Sequence, residues 1–365
     1  MIGTIPANHH LSFSSQKNGH RVGLGRRRKH DWFRLVHGCF DRRDTTCRGT
    51  CKTPWQPNRL TESPRTRECG ESAKHCGNNQ RETTKLTVTQ FSDTHFSLPG
   101  NRSHHGFGYD TDAAWEAAST LAFRDVVTDL TVVTGDLADH GRPDEYEVAF
   151  RHLNEIPNPV NILTGNHDFH APFQADLAKA PITMDRAQQH GGWQFIFADS
   201  NFEGREKAAD GSLIDTENRI ETNGRLGPDE VEWITELANE SAVEHAWLWM
   251  HHPPAMSGDT EVFANQAFTD EVGQLLRACP KIRGIGAGHV HTDLVTSLQD
   301  RPIILCPALT INVDTAAWTL LPPGYRTYEF AVDGSVESEC HFVEDPRWPR
   351  NKVPQSVVDY YRAAQ

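Results

Sequence analysis

Leu130-Thr-Val-Val-Thr-Gly-Asp136 and Val160-Asn-Ile-Leu-Thr-Gly-Asn-His-Asp168 carry one pattern twice. Each is a short run of β-branched and aliphatic residues that stops at a glycine and then turns polar. Runs of this length and composition read as buried strands, and the glycine marks a sharp change of direction. The pattern recurs on both sides. Upstream, Leu86–Phe91 ends at Ser92-Asp93-Thr94-His95. Downstream, His245–Met250 ends at His251-His252-Pro253-Pro254, and Ile282–Ala287 ends at Gly288-His289-Val290-His291. Helical patterns lie between the runs. Tyr109–Asp129 places Ala114, Ala117, Ala118, Leu121 and Ala122 on one face,. Pro143–Leu153 and Pro228–Ala238 open on proline, which the first helical turn accepts, and Phe263–Cys279 is mostly helical,. Trp193–Ala198 adds a strand. Strand alternating with helix predicts an α/β fold with parallel strands. The closing strands at about Asp293–Ser297, Pro302–Cys306, Arg326–Val332 and Ser335–Phe342 follow one another without helices, which makes the sheet mixed,.

Charge divides the chain. Residues 1–84 hold 16 Lys+Arg against 7 Asp+Glu, including Arg26-Arg27-Arg28-Lys29, and lack a periodic apolar pattern. Such a composition cannot bury enough surface to offset chain entropy, so a disordered extension is expected there. Its Cys47-x3-Cys51 and Cys69-x6-Cys76 spacings lack the paired knuckles of a zinc site,. The remaining residues hold 20 Lys+Arg against 42 Asp+Glu. A surface that acidic repels a phosphate backbone, which disfavours long nucleic acids as partners. No run of 18 apolar residues occurs, so no membrane span is expected, and no apolar leader opens the chain,. The expected compartment is the cytoplasm. The expected organisation is a 1–84 extension, a domain over 85–345 and a C-terminal tail over 346–365.

In open α/β sheets, ligands bind outside the carboxyl ends of the strands, so the polar clusters are expected to converge on one site. They supply carboxylate, imidazole and amide but no thiolate, a mixture that suits divalent Mn, Fe or Zn. Asp93, His95, Asp136, Asn166, His251, His289 and His291 make seven ligands. If Asp136 is shared, each of two ions receives four protein ligands and keeps a position for water.

Five such clusters in this order resemble the calcineurin-like, dinuclear metallophosphoesterase superfamily over about residues 86–345. Phe91-Ser-Asp-Thr-His95, the Gly224–Trp233 stretch, the His-His-Pro-Pro strand end and Pro322-Pro-Gly-Tyr-Arg326 are similar to class III cyclic-nucleotide phosphodiesterases. The resemblance implies a four-layer α/β/β/α sandwich of two mixed β-sheets flanked by helices. It implies that Asp93, His95 and His291 hold one ion, that Asn166, His251 and His289 hold the other, and that Asp136 bridges them. His251 is chosen over His252 because family strands place the ligand directly after the apolar run; His252 then stands behind the ligands or faces substrate. Asn166, His167 and His252 would contact substrate. His167 would support the leaving oxygen and Asp168 would orient His167.

The implied activity is a metal-dependent phosphodiesterase. A metal-bridging hydroxide attacks phosphorus in a small phosphodiester, with a 3′,5′-cyclic nucleotide as one candidate. A phosphomonoesterase, or a glycerophospho- or lipid-type phosphodiesterase, is the alternative of the same superfamily. A non-catalytic metal-binding interaction module is the alternative of another class; its expected signature, lost ligands, is absent. Related enzymes are often dimers, so a homodimer is among the arrangements implied. Outside the constellation, Asp139 and His140 read as solvated loop residues, Trp247 and Trp249 as packing, and Cys279 and Cys306 as inert buried thiols.

Overall fold

The computed structural model describes residues 85–99, 108–124, 127–169, 182–207, 213–215, 224–314, 317–356 and 358–359. The disorder expected of residues 1–84 lies outside the described residues. In chain order the elements begin with β1 (Lys85–Phe91), α1 (Thr111–Arg124), β2 (Leu130–Thr134), α2 (Pro143–Leu153), β3 (Val160–Leu163), β4 (Ile182–Thr183), β5 (Ala187–His190) and β6 (Trp193–Phe197). A small antiparallel pair, β7 (Arg205–Lys207) and β8 (Leu213–Asp215), precedes α3 (Pro228–Glu240), β9 (His245–Trp249), α4 (Gln266–Ala278), β10 (Ile282–Ala287), β11 (Leu294–Leu298) and β12 (Arg301–Leu305). Another short pair, β13 (Asn312–Asp314) and β14 (Thr319–Leu321), leads to β15 (Gly324–Ala331) and β16 (Val336–Phe342).

Two six-stranded sheets result, in the orders β16-β15-β1-β2-β3-β4 and β11-β12-β10-β9-β6-β5. In the first, β1 to β4 run parallel and β15 joins β1 antiparallel. In the second, β12, β10, β9 and β6 run parallel, with β11 and β5 antiparallel at the edges. Both sheets are mixed, as the run of terminal strands implied. The short edge strands β4 and β5 and the short pairs β7–β8 and β13–β14 were not foreseen; each is too brief to set up a periodic pattern,.

The sheets face each other across an aromatic layer. Val88, Leu130, Val132, Tyr328 and Phe330 of the first sheet meet Trp193, Phe195, Trp247 and Trp249 of the second. Trp249 lies edge-on to Tyr328 at 5.2 Å, and Trp247 edge-on to Phe330 at 5.3 Å. Two glycines of β10 make room for the indoles. A Cβ on Gly284 or Gly286 would approach Trp247 or Trp249 to 2.4 Å or 2.3 Å. On the outer face of the second sheet, Ile196, Leu248 and Ile285 pack with Ile234 and Ala238 of α3 and Phe268, Val272 and Leu275 of α4. On the outer face of the first, the small residues Ala114, Ala118 and Ala122 let α1 lie close, and Trp115 meets Phe91 at 4.9 Å. These are the four layers of the α/β/β/α sandwich.

Residues beyond 345 pack on this body. Trp348 lies edge-on to Tyr109 at 5.2 Å, the Tyr109 hydroxyl donates to the Pro349 carbonyl at 3.0 Å, and Val353 is buried. Because β1, β2, β3, β9 and β10 are parallel within each sheet, their carboxyl ends lie at one edge of the sandwich. That edge carries all five polar clusters.

Candidate metal centre

Each strand stops abruptly where its functional residue begins. Asp93, His95, Asp136, His289 and His291 all have positive φ, and they are five of the eight non-glycine residues with that property among the described residues. A left-handed backbone costs a residue with a Cβ roughly 1–3 kcal/mol, and such strain persists where surrounding structure over-determines it. Asp and His tolerate it better than most residues. Here it turns each side chain out of its strand and over the sandwich edge. The glycines serve two different needs. Gly135 has φ +89 and its absent Cβ would lie 2.7 Å from His251 Nδ1. Gly165 and Gly288 are small for space: a Cβ would come within 2.1 Å of Asp136 Oδ1 and 1.8 Å of Ser92 Oγ respectively.

The donors gather in two sets. In the first, His95 Nε2 lies 3.2 Å from His291 Nε2, and His291 Nε2 lies 3.3 Å from Asp93 Oδ1. In the second, Asn166 Oδ1 lies 2.9 Å from His251 Nε2 and 3.0 Å from His289 Nδ1, and those two nitrogens are 3.3 Å apart. Asp136 Oδ2 touches both sets, at 3.6 Å from His95 Nε2 and 3.3 Å from His251 Nε2. All seven residues expected to be ligands are therefore brought together.

Electrostatics describe the same assembly. Burial pushes the Asp136 carboxyl upward, but the imidazoles of His251, His167 and His95 outweigh it and hold the group well below its usual range. For Asp93, burial is likewise overcome, chiefly by His291. Burial lowers His251, yet Asp136 and Asp93 raise it to about 9. Its neighbour His289 is pushed down to about 3 by burial and by the His251 charge. A divalent cation bound among these donors would compete with protons for them. Imidazole nitrogens, an amide oxygen and carboxylates facing one another at about 3 Å fit donors sharing an ion at about 2.0–2.2 Å. The groups Asp93, His95, Asp136, His291 and His251, His252, His289 could each hold a metal ion.

The outward nitrogens are held from behind. His251 Nδ1 donates to the Thr134 carbonyl at 2.8 Å, which turns Nε2 toward Asn166 and Asp136,. His95 Nδ1 faces Asp139 Oδ1 at 3.5 Å. Asp139 is buried, so the expectation of a solvated loop residue is corrected: its carboxylate stands behind His95 and also faces His140. The signal for it was the position itself, one short turn after Asp136.

His167 sits at the rim. Its backbone N–H donates to Asp136 Oδ1 at 2.8 Å, and its Nδ1 lies 2.8 Å from the Asp139 carbonyl. A carbonyl can only accept, so Nδ1 carries the proton. Asp168 does not orient this ring. Its carboxylate accepts from the backbone N–H groups of Gly165, Leu137 and Ala138 and from the Tyr146 hydroxyl. It ties the Asp136 turn to the Asn166 turn. Burial and the Asp136 charge raise it to about 6 against those donors.

His252 lies beside His289. It is fully buried, paired through Nδ1 with Ser200 Oγ at 2.8 Å, and its ring lies 4.4 Å from that of His289. Ser200 was not foreseen. Cys279 and Cys306 are buried free thiols, and Trp247 and Trp249 are fully buried in the aromatic layer. His104, His105 and His170 lie outside the described residues.

A profile of the calcineurin-like phosphoesterase family matches residues 86–293. Three relatives resemble the chain over most of its length. One, a Synechococcus protein named as a probable cyclic nucleotide phosphodiesterase, is 25% identical over 71% of this chain and 93% of its own. The Escherichia coli 3′,5′-cyclic adenosine monophosphate phosphodiesterase CpdA is 26% identical over 72% and 92%. The Enterobacter lignolyticus glycerophosphodiester phosphodiesterase GpdQ is 27% identical over 62% and 79%.

Proposed function

Since the chain belongs to the calcineurin-like phosphoesterase family, whose members hydrolyse phosphoester bonds, we propose that it is a metal-dependent phosphodiesterase of a small phosphodiester, with a 3′,5′-cyclic nucleotide as substrate. The observation that carries the reading is one atom. Asp136 Oδ2 lies against both donor sets, so a single carboxylate is available to two ions. Asp93, His95 and His291 would hold one ion, Asn166, His251 and His289 the other, and Asp136 both. Two divalent ions, when bound, lower the pKa of water toward neutrality and neutralise phosphate oxygens.

The chain's own residues do the rest. With Nδ1–H committed to the Asp139 carbonyl, the His167 imidazole keeps Nε2 for the substrate; as an imidazolium, protonated on both nitrogens, it would pass the Nε2 proton to the departing alkoxide oxygen and return to the neutral ring,. His251 is fixed in one tautomer by Thr134. Asp168 keeps the turns bearing Asp136 and Asn166 at a set separation. Every residue assigned here falls within 85–345, which the reading takes as the catalytic unit. Among the described residues no helix is long and apolar enough to cross a membrane. The free thiols Cys279, Cys306 and Cys340 support a reducing compartment such as the cytoplasm,.

The likeness to GpdQ supports a second reading, hydrolysis of a glycerophosphodiester. A substrate panel separates the two. The full chain with Mn2+ is assayed on bis(p-nitrophenyl) phosphate, 3′,5′-cyclic AMP, glycerophosphoethanolamine and p-nitrophenyl phosphate. Turnover of the first two, lost in Asn166→Ala, is expected. Turnover of glycerophosphoethanolamine without cyclic AMP moves the function to the second reading. Faster hydrolysis of the monoester, or none at all, sinks the phosphodiesterase assignment.

A further inference from the structure

Gln90 is fully buried in β1, on the face where Leu86 and Val88 meet the aromatic layer between the sheets. A carboxamide in such surroundings costs about 1–3 kcal/mol unless it is hydrogen-bonded, and an apolar side chain of the same length would fill the space at least as well. All its polar positions are used. Oε1 accepts from the Tyr328 hydroxyl at 2.6 Å. Nε2 donates to Thr134 Oγ1 at 2.8 Å and to the Ala287 carbonyl at 3.1 Å. A carbonyl cannot donate, so the Ala287 contact fixes which end of the amide is nitrogen.

The partners occupy telling positions. Thr134 is the last residue of β2 and leads through Gly135 to Asp136; its own carbonyl holds His251 Nδ1. Ala287 is the last residue of β10 and leads through Gly288 to His289 and His291. Gln90 itself precedes the turn to Asp93 and His95. One amide thus bonds across the gap between the sheets, at the level where the strands release their functional residues. Each donor set draws on both sheets, so the separation of the sheets at this depth governs both sets.

We propose that Gln90, oriented by Tyr328, is a positioning residue that holds the strand ends of the two sheets at the spacing a divalent ion requires. The inference rests on the metal reading above. It touches no ion or substrate itself; it acts through the ends of β2 and β10.

The test uses the full chain, stripped of metal, and two readouts: the Mn2+ binding isotherm and thermal unfolding with and without Mn2+. Gln90→Met keeps the volume and removes all three bonds. It is expected to bind Mn2+ about tenfold more weakly, the lower edge of the 10–100-fold range for groups that orient metal ligands. The Mn2+-induced rise in unfolding temperature shrinks accordingly. Tyr328→Phe releases one bond and gives a smaller but measurable loss of Mn2+ affinity. Ile234→Ala, in the core beneath α3, is the control for lost packing. It lowers both unfolding temperatures together and leaves the isotherm unchanged. If Gln90 only supports packing, its variants behave like Ile234→Ala, and the inference is overturned while the proposed function stands. Should Gln90→Met fail to fold, an unchanged isotherm in Tyr328→Phe overturns it equally. A wild-type chain that binds no Mn2+ overturns the metal reading and the inference together.

Discussion

Two clusters of ionisable groups lie at strand ends of this molecule, one partly exposed and one largely buried, and they are built on opposite plans. One holds Asp199, Arg205, Arg186 and Glu230 beside a cavity of about 410 Å3 next to the end of β6. There each carboxylate meets a guanidinium: Arg205 pairs with Asp199, and Arg186 with Glu230 at 2.5 Å while lying over the Trp233 ring at 3.7 Å. The other cluster holds Asp93, Asp136 and the imidazoles. Among the described residues no Lys or Arg side chain pairs with Asp93 or Asp136. The first cluster neutralises itself. The second is a set of donors whose positive charge must come from protons or from outside, which is the signature of a metal site rather than of a structural ion-pair network.

The contrast can be broken most severely at its centre. Asp136→Asn removes the charge common to both donor sets. Activity and Mn2+ affinity should both fall, by more than the roughly 10–100-fold expected for an outer partner. Two ions retained at full affinity would show that Asp136 is not shared. His167→Ala separates chemistry from metal holding: kcat should drop about 10²–10⁴-fold, the range of general acid–base catalysis, with the Mn2+ isotherm unchanged. A fall in kcat no larger than the effect on Mn2+ binding would remove His167 from the chemistry. Asp139→Ala takes away the carboxylate behind His95, and Mn2+ affinity should weaken about 10–100-fold by calorimetry. An unaltered isotherm would return Asp139 to the role of an ordinary buried acid.

An effect on stability rather than on activity belongs to the cluster around Glu230. Burial raises Glu230 to about 7 in spite of Arg186, from an ordinary 4.5. The fold therefore favours the neutral form. As pH rises from about 4.5 to 7 the unfolded chain gives up this proton first, and wild type loses stability, by up to about 3 kcal/mol. Glu230→Gln does not titrate. Its unfolding temperature, measured on metal-free protein, should lack that part of the decline while phosphodiester hydrolysis is retained. Parallel pH profiles for the two proteins would mean that the ion pair with Arg186 already dominates.

How far the molecule could be read without its structure follows from what each residue depends on. Asp136, Asn166, His289 and their companions were legible because a strand end followed by a metal-type side chain is a local pattern repeated five times, three of them with glycine between. The α/β class followed from strand–helix alternation, and the four layers from the resemblance. Residues whose role depends on distant neighbours were not legible. Gln90 looks like any polar residue in a strand until Tyr328 and Ala287 stand on either side of it. Asp168 follows His167 directly, which suggested that it served that ring, yet the chain turns its carboxylate toward the N–H groups of Leu137 and Ala138. Asp139 was read as solvated because it lies in the loop that follows Asp136, yet it is buried.

The claim that the strand-end cluster is completed by external cations is tested most directly by titrating Mn2+ into the chelator-stripped full chain while following hydrolysis of bis(p-nitrophenyl) phosphate. The donor arrangement predicts no turnover at zero metal and a rise that saturates when two ions are bound per chain. Full activity in the stripped protein, or none at saturating Mn2+, would contradict it.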